Sequence, residues 1–167
     1  MLNDYIHYGL LVALAIGLLA AAINDIRARK INNRLTGALA ITAPLFWWSS
    51  DLTLWPGVAI QLGLGFGVFF ALALLFRFRL LGGGDVKLLT ALALWITPNA
   101  FLHLFLMMAL IGGVLAVVMG GYYIASRQRD KMSMPYGIAI ACGGLWVLGT
   151  QYFPPAGAAI GIAPVFG

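Results

Sequence analysis

The chain has 167 residues, of which 62% are hydrophobic and only 9% are charged. A soluble domain of this size cannot bury so much apolar surface, and the long continuous apolar runs lack the alternation of β-barrel strands. The formal net charge of +5 could indicate nucleic-acid binding, but the Lys and Arg side chains lie in short clusters that flank apolar runs, as membrane topology requires. The composition therefore predicts an all-α, polytopic membrane protein without a nucleic-acid partner.

Apolar runs follow one another along most of the chain, and each predicts one helix. They cover residues 5–23, 35–48, 54–76, 86–96, 101–125 and 136–153. We therefore expect about six transmembrane helices that form one domain over residues 1–153. Residues 154–167 are rich in Gly, Ala and Pro and form a predicted tail outside the cytoplasm.

The charges predict which side of the membrane each connection faces. If the N-terminus is outside, the basic clusters 27–34, 77–87 and 127–131 all fall on one side, while Asp4 and Asp51 fall on the other. The positive-inside rule makes the basic side cytoplasmic, so both termini are predicted to be extracytoplasmic. The outer interface is then expected to carry Trp47, Trp48, Trp55 and Trp95.

Two acids lie at the ends of apolar runs on the predicted cytoplasmic side. Asp25 follows the first run, and Asp85 follows three glycines to open the short run 86–96. An Asp in a membrane segment costs at least about 2.5 kcal/mol on insertion scales, so such residues are functional candidates. Two neighbouring carboxylates can share one proton, so that one activates a water while the other polarises a carbonyl. A simpler interpretation makes Asp25 a helix-end or loop acid and Asp85 a helix N-cap, and spacing alone leaves both open.

Three patterns in the sequence resemble the motifs of the type IV prepilin peptidases, GxGD-type aspartyl proteases of the membrane. The GxGDxKL signature is matched by Gly82, Gly84, Asp85 and Lys87. The pattern D-x-R-x-x-x-I-P-N is similar to Asp25, Arg27, Ile31 and Asn33, with Asn32 in place of the family's proline. The PYG entry to the last span is matched by Pro135, Tyr136 and Gly137.

The resemblance implies a function as well as a fold. Asp25 and Asp85 would be the catalytic pair of an aspartic endopeptidase that needs no cofactor and no metal. The substrate would be a prepilin, a single apolar helix with a short basic leader that is cut after a glycine, at the cytoplasmic face of a bacterial inner membrane. The lipid bilayer and the pilus-assembly machinery would be partners. The chain has one cysteine, Cys142, and lacks the CxxC pairs of longer relatives that also methylate the new N-terminus. It therefore resembles the peptidase-only type of tight-adherence (Flp) pili.

Other ionisable residues have simpler interpretations. Lys87 lies about 200° around a helix from Asp85, so we expect it to reach the headgroups rather than pair with that acid. His7 and His103 are expected near the outer face, across the membrane from both acids. Asp130 lies in a basic loop and is expected to be solvated.

Two alternative functions remain open on the sequence. A presenilin-type intramembrane protease also has GxGD but pairs it with a YD motif, whereas here Asn24 precedes Asp25. A small transporter could use the two acids as a proton relay, although transporters usually place ionisable groups near the midplane and contain internal repeats, which we do not find.

Overall fold

The computed structural model describes residues 2–126 and 136–153, and these residues are almost entirely helical. The α-helices are α1 (Leu2–Ala28), α2 (Asn33–Ser49), α3 (Ala59–Arg77), α4 (Gly83–Trp95), α5 (Pro98–Ser126) and α6 (Tyr136–Val147). Short π-type turns, Leu54–Val58 and Leu148–Tyr152, precede α3 and follow α6. Each predicted run coincides with one helix, so the all-α prediction is confirmed. Asp130, Pro135 and the predicted tail 154–167 lie outside the described residues.

Within the described ranges, three helical segments are long and apolar enough to cross a membrane. They are Asn3–Ala28, Leu54–Arg77 and Pro98–Tyr122. The helices between them are shorter, with 17 residues in α2, 13 in α4 and 12 in α6. Long apolar helices thus alternate with short ones along the chain.

The short helix α4 is the centre of the bundle. It packs against α2 and α3, with further contacts to α5 and α6. Eight of its residues are buried, and they lie all around the helix, as expected for an apolar helix enclosed by others. By contrast, α3 buries only Gln61, Gly65 and Leu72, so most of its apolar surface faces outward.

The carboxyl end of α4 is closed by side chains from neighbouring helices. Trp47 Nε1 donates to the carbonyl of Leu94 at 2.6 Å, and Gln61 Nε2 donates to that of Ile96 at 2.6 Å. Helix ends leave their last carbonyls without intrahelical partners, and an unpaired carbonyl in apolar surroundings costs several kcal/mol. The 13 residues of α4 cover about 20 Å, less than a bilayer core of about 30 Å, so these side chains allow the helix to end inside the protein.

The tryptophans divide into two groups, which corrects the prediction that all four line the outer interface. Trp48 and Trp55 are 62% and 82% exposed, in agreement with an interfacial position. Trp47 and Trp95 are buried, and Trp95 Nε1 donates to the carbonyl of Leu39 at 2.7 Å. The prediction was wrong for these two because their indole N–H groups bond helix carbonyls inside the bundle.

Candidate active site

The end of α1, the start of α4 and the start of α6 meet around one cavity of about 550 Å³. Most of its wall comes from the α1–α2 and α3–α4 connections. It is lined by Asp25, Arg29, Lys30, Ile31, Asn33, Arg79, Leu80, Leu81, Gly82, Gly83, Gly84, Asp85 and Tyr136. The structure therefore brings together both candidate acids, which are 60 residues apart in the chain.

Asp25 lies in the last turn of α1 and is held by the first turn of α6. Its carboxylate accepts a hydrogen bond of 2.8 Å from the backbone N–H of Gly137, and only 7% of the residue is exposed. A helix N-terminus presents free N–H groups and a positive partial charge, so it stabilises a carboxylate. A Cβ at Gly137 would lie 2.7 Å from Asp25 Oδ2. Only glycine allows α6 to approach this closely, which explains the last residue of the PYG pattern.

Asp85 is the third residue of α4, so it is not the N-cap that the simpler interpretation expected. Gly82 is the N-cap, and its backbone amide bonds back to the Asp85 carboxylate. This is the return half of a capping box, in which an acid at the third helical position satisfies the amide of the N-cap residue. Asp85 is 9% exposed, and a Cβ at Gly82 would lie 2.7 Å from its Oδ2.

The two motifs that carry the acids are in direct contact. A Cβ at Gly84 would lie 3.1 Å from Cβ of Ile31, so this glycine allows the start of α4 to pack on the α1–α2 connection. Asp25 and Asp85 are close enough for their negative charges to repel each other, and both are buried. Two such carboxylates favour the state in which they hold one proton between them.

Polar contacts tie α2 to α4 beside the cavity. Lys87 is exposed, and its Nζ donates to Asn33 Oδ1 at 3.0 Å, so this lysine bonds an amide rather than Asp85. Asn32 is the N-cap of α2, and its side chain accepts a hydrogen bond of 2.9 Å from the Arg34 backbone. The residue that departs from the family pattern therefore has a local role. Arg27 is exposed and does not line the cavity.

Sequence reasoning missed two arginines that line the cavity. Arg29 and Arg79 have φ values of 49° and 60°, the left-handed region that usually favours glycine. Each follows a helix that leads into the site, where a left-handed residue closes the helix end: the amide of Arg29 bonds the Asp25 carbonyl, and that of Arg79 bonds the Phe76 carbonyl. In the sequence they belong to the basic clusters 27–34 and 77–87, which predict only the orientation in the membrane. The available signal was their position shortly after an apolar run and near an acid in the sequence.

Neither histidine lines the cavity that holds the two acids. His7 is 18 residues before Asp25 on the same helix, which is about 27 Å, and its Nδ1 is 3.1 Å from Ser50 Oγ. His103 Nδ1 is 2.9 Å from the Asn99 carbonyl. Among the described residues, no three His, Cys, Asp or Glu side chains come together as metal ligands would.

The fold and the cavity define a class of helical proteins, which have apolar helices long enough to span a membrane and a pair of buried aspartates. A family model for the type IV leader peptidase family matches residues 12–117, which include both acids. Two relatives from Burkholderia pseudomallei, strains 1026b and K96243, are each 31% identical over 153 residues and are named prepilin leader peptidase/N-methyltransferase. The alignment covers 83% of this chain but 47% of each relative, so the chain spans about half their length. No solved structure matches significantly.

This chain belongs to the type IV leader peptidase family. Tyr136 and Gly137 lie beyond the matched residues, yet Gly137 bonds the first acid.

Proposed function

We propose that the protein is an aspartic endopeptidase that removes the short basic leader of prepilins, with Asp25 and Asp85 as the catalytic residues. The observation that carries this proposal is the presence of two buried carboxylates on one cavity, each at the end of an apolar helix. Family membership supports the same reaction. Residues 1–153 would form the catalytic domain.

The reaction follows from one proton shared by two carboxylates. The ionised aspartate removes a proton from a water bound between the pair, and the water oxygen attacks the carbonyl of the scissile peptide. The protonated aspartate donates to the carbonyl oxygen as the tetrahedral intermediate forms. Collapse of this gem-diol intermediate breaks the C–N bond. The leaving amine takes the proton from the aspartate that gained one, and one hydroxyl of the diol returns its proton to the other aspartate, which restores the shared proton. The amide of Gly137 and that of Gly82 orient the two carboxylates.

The membrane arrangement belongs to the same proposal. We place all six helices across or within the bacterial inner membrane, with both termini outside and the cavity at the cytoplasmic face. The basic residues Arg29, Lys30 and Arg79 line the cavity with the acids, which puts the site at the basic end of the bundle. The positive-inside rule assigns that end to the cytoplasm.

The substrate class is proposed to be Flp-type prepilins, on the basis of the sequence resemblance. The two relatives are named as methyltransferases as well. We propose peptidase activity alone for this chain, because it has one cysteine and cannot provide the paired CxxC motifs of the longer enzymes. The pilus-assembly machinery remains a proposed partner.

The test replaces each acid by its near-isosteric amide. Asp25→Asn and Asp85→Asn should each abolish cleavage of a co-expressed prepilin, because an amide can neither act as the base nor carry the shared proton. The double variant should be no worse than either single variant, since residues that act as a unit are not additive. Prepilin processing is read by the mobility shift of the cleaved product.

The matched control is Asp51→Asn. Asp51 is exposed and has a φ of 51°, a conformation that asparagine tolerates well, so this variant should process prepilin like the wild type. Processing at a wild-type rate by either Asp25→Asn or Asp85→Asn, at normal protein levels, would show that the assignment is wrong.

A further inference from the structure

A second groove lies beside the cavity. It has a volume of about 370 Å³ and is lined by residues of three helices. They are Asn33, Thr36, Gly37 and Ala40 from α2, Phe69 from α3, and Lys87, Thr90 and Ala91 from α4. Since α2 and α3 both pack against α4, the groove is a furrow between them with α4 as its floor.

The groove and the cavity share a residue. Asn33 lines both, and its hydrogen bond to Lys87 lies at the groove's end nearest the acids. From Asn33 to Ala40 the groove follows α2 for about 10 Å, or about two helical turns. An occupant of the groove would therefore lead directly to the cavity.

The walls of the groove suit an apolar helix. Its hydroxyl groups are already satisfied, because Thr36 Oγ1 donates to the Asn33 carbonyl and Thr90 Oγ1 donates to the Val86 carbonyl. The small residues Gly37, Ala40 and Ala91 allow a second helix to approach closely, as at helix interfaces in membranes. At Gly37, no neighbouring atom of the described residues lies within 4 Å of the position a Cβ would take.

We propose that this groove seats the apolar helix of the substrate and so positions the leader junction at the two acids. The inference rests on the proposed peptidase function and deepens it. The junction between a basic leader and an apolar helix must reach the carboxylates, and the groove ends where the cavity begins. We expect the helical part of the substrate to end near Lys87 and Asn33, and the substrate chain to be extended from there to the acids.

The first test fills the groove without disturbing the fold. Gly37→Leu places a side chain in open space and replaces a poor helix former by a good one, so the variant should accumulate normally. We expect cleavage of full-length prepilin to fall by about tenfold or more, equivalent to about 1.4 kcal/mol of binding. Cleavage of a detergent-presented peptide that ends a few residues beyond the junction, and so lacks the helix, should stay at the wild-type rate.

The matched control is Gly67→Leu on α3. Gly67 is exposed, has no neighbouring described atom within 4 Å of its Cβ position and does not line the groove, so both substrates should be cleaved normally. Unchanged cleavage of full-length prepilin by Gly37→Leu, or an equal loss on both substrates, would overturn the docking proposal. If the wild type cleaves neither substrate, the peptidase function itself is wrong.

A crosslinking experiment identifies the occupant directly. Ala40→Cys, in a Cys142→Ala background, should crosslink to single cysteines placed in the apolar helix of a prepilin when the enzyme also carries Asp25→Asn to hold the uncut substrate. Crosslinks to a second copy of the enzyme instead, or protection of the cysteine by lipid alone, would contradict the proposed occupant.

Discussion

At the scale of single residues, the glycines in this protein determine how closely the helices approach the acids. Gly137 brings the amide of α6 to Asp25, Gly82 brings an amide to Asp85, and Gly84 allows the two motifs to touch. The Gly-rich segment 82–84 looks in the sequence like a flexible turn, but in the structure its glycines lie in close contact with neighbouring residues.

Gly137 gives the sharpest prediction of this kind. Gly137→Ala should reduce prepilin processing by about a hundredfold, because the added Cβ would lie 2.7 Å from Oδ2 and 2.9 Å from Cβ of Asp25 and must displace the carboxylate. Initial rates of cleavage measure the effect. Gly113→Ala on α5, where no described neighbour lies within 4 Å, is the control and should behave like the wild type. Equal rates for both variants would show that the approach of α6 to Asp25 does not matter for catalysis.

Arg79 has a left-handed backbone conformation and also lines the cavity, so its replacement should affect stability and activity differently. Arg79→Gly removes a side chain from the left-handed region, so it should stabilise the protein by about 1 kcal/mol. It also removes a guanidinium from the cavity wall, so we expect prepilin processing to fall. Thermal unfolding in detergent and cleavage rates measure the two effects separately. A stabilised variant with full activity would mean that Arg79 only closes the helix end.

At the scale of the elements, the termination of α4 is the least obvious feature of the fold. Gln61 is 2% exposed and donates to the carbonyls of Ala93 and Ile96. Replacement by leucine keeps the volume similar but leaves these carbonyls without that donor. Gln61→Leu should therefore lower the free energy of unfolding by about 1–3 kcal/mol.

Thermal unfolding in detergent checks this prediction, with Gln151→Leu as the control for the same chemical change at a half-buried position. A Gln61→Leu protein as stable as the control would mean that the end of α4 does not need this donor.

The sequence predicted the elements better than their ends. The six apolar runs and both acids were evident because long hydrophobic stretches and isolated carboxylates contrast strongly in composition. The role of Gln61 was hidden, because its partners are carbonyls 32 and 35 residues away. The pairing of Asp25 with Gly137 spans 112 residues, and no local pattern specifies such a contact. The left-handed arginines were missed because arginine rarely occupies that conformation.

At the scale of the whole molecule, the distribution of charge predicts the orientation. Reporter fusions after Asp51 and Asn99 should report the outside, and a fusion after Arg29 should report the cytoplasm, because Arg29, Lys30 and Arg79 line the acid-bearing cavity. Paired alkaline phosphatase and fluorescent protein fusions measure this. A cytoplasmic signal at Asp51 would contradict the proposed topology.

The hydrogen bond between Asp25 and Gly137 can form only late in the synthesis of the protein. Asp25 belongs to α1, the first described helix, and its partner belongs to α6, the last described one, so α1 is synthesised well before α6. Until α6 has inserted, the first acid lacks the amide that orients it. If Asp25 has the proposed catalytic role, an unfinished chain would not cut neighbouring prepilins, and activity would begin only when α6 has joined the bundle.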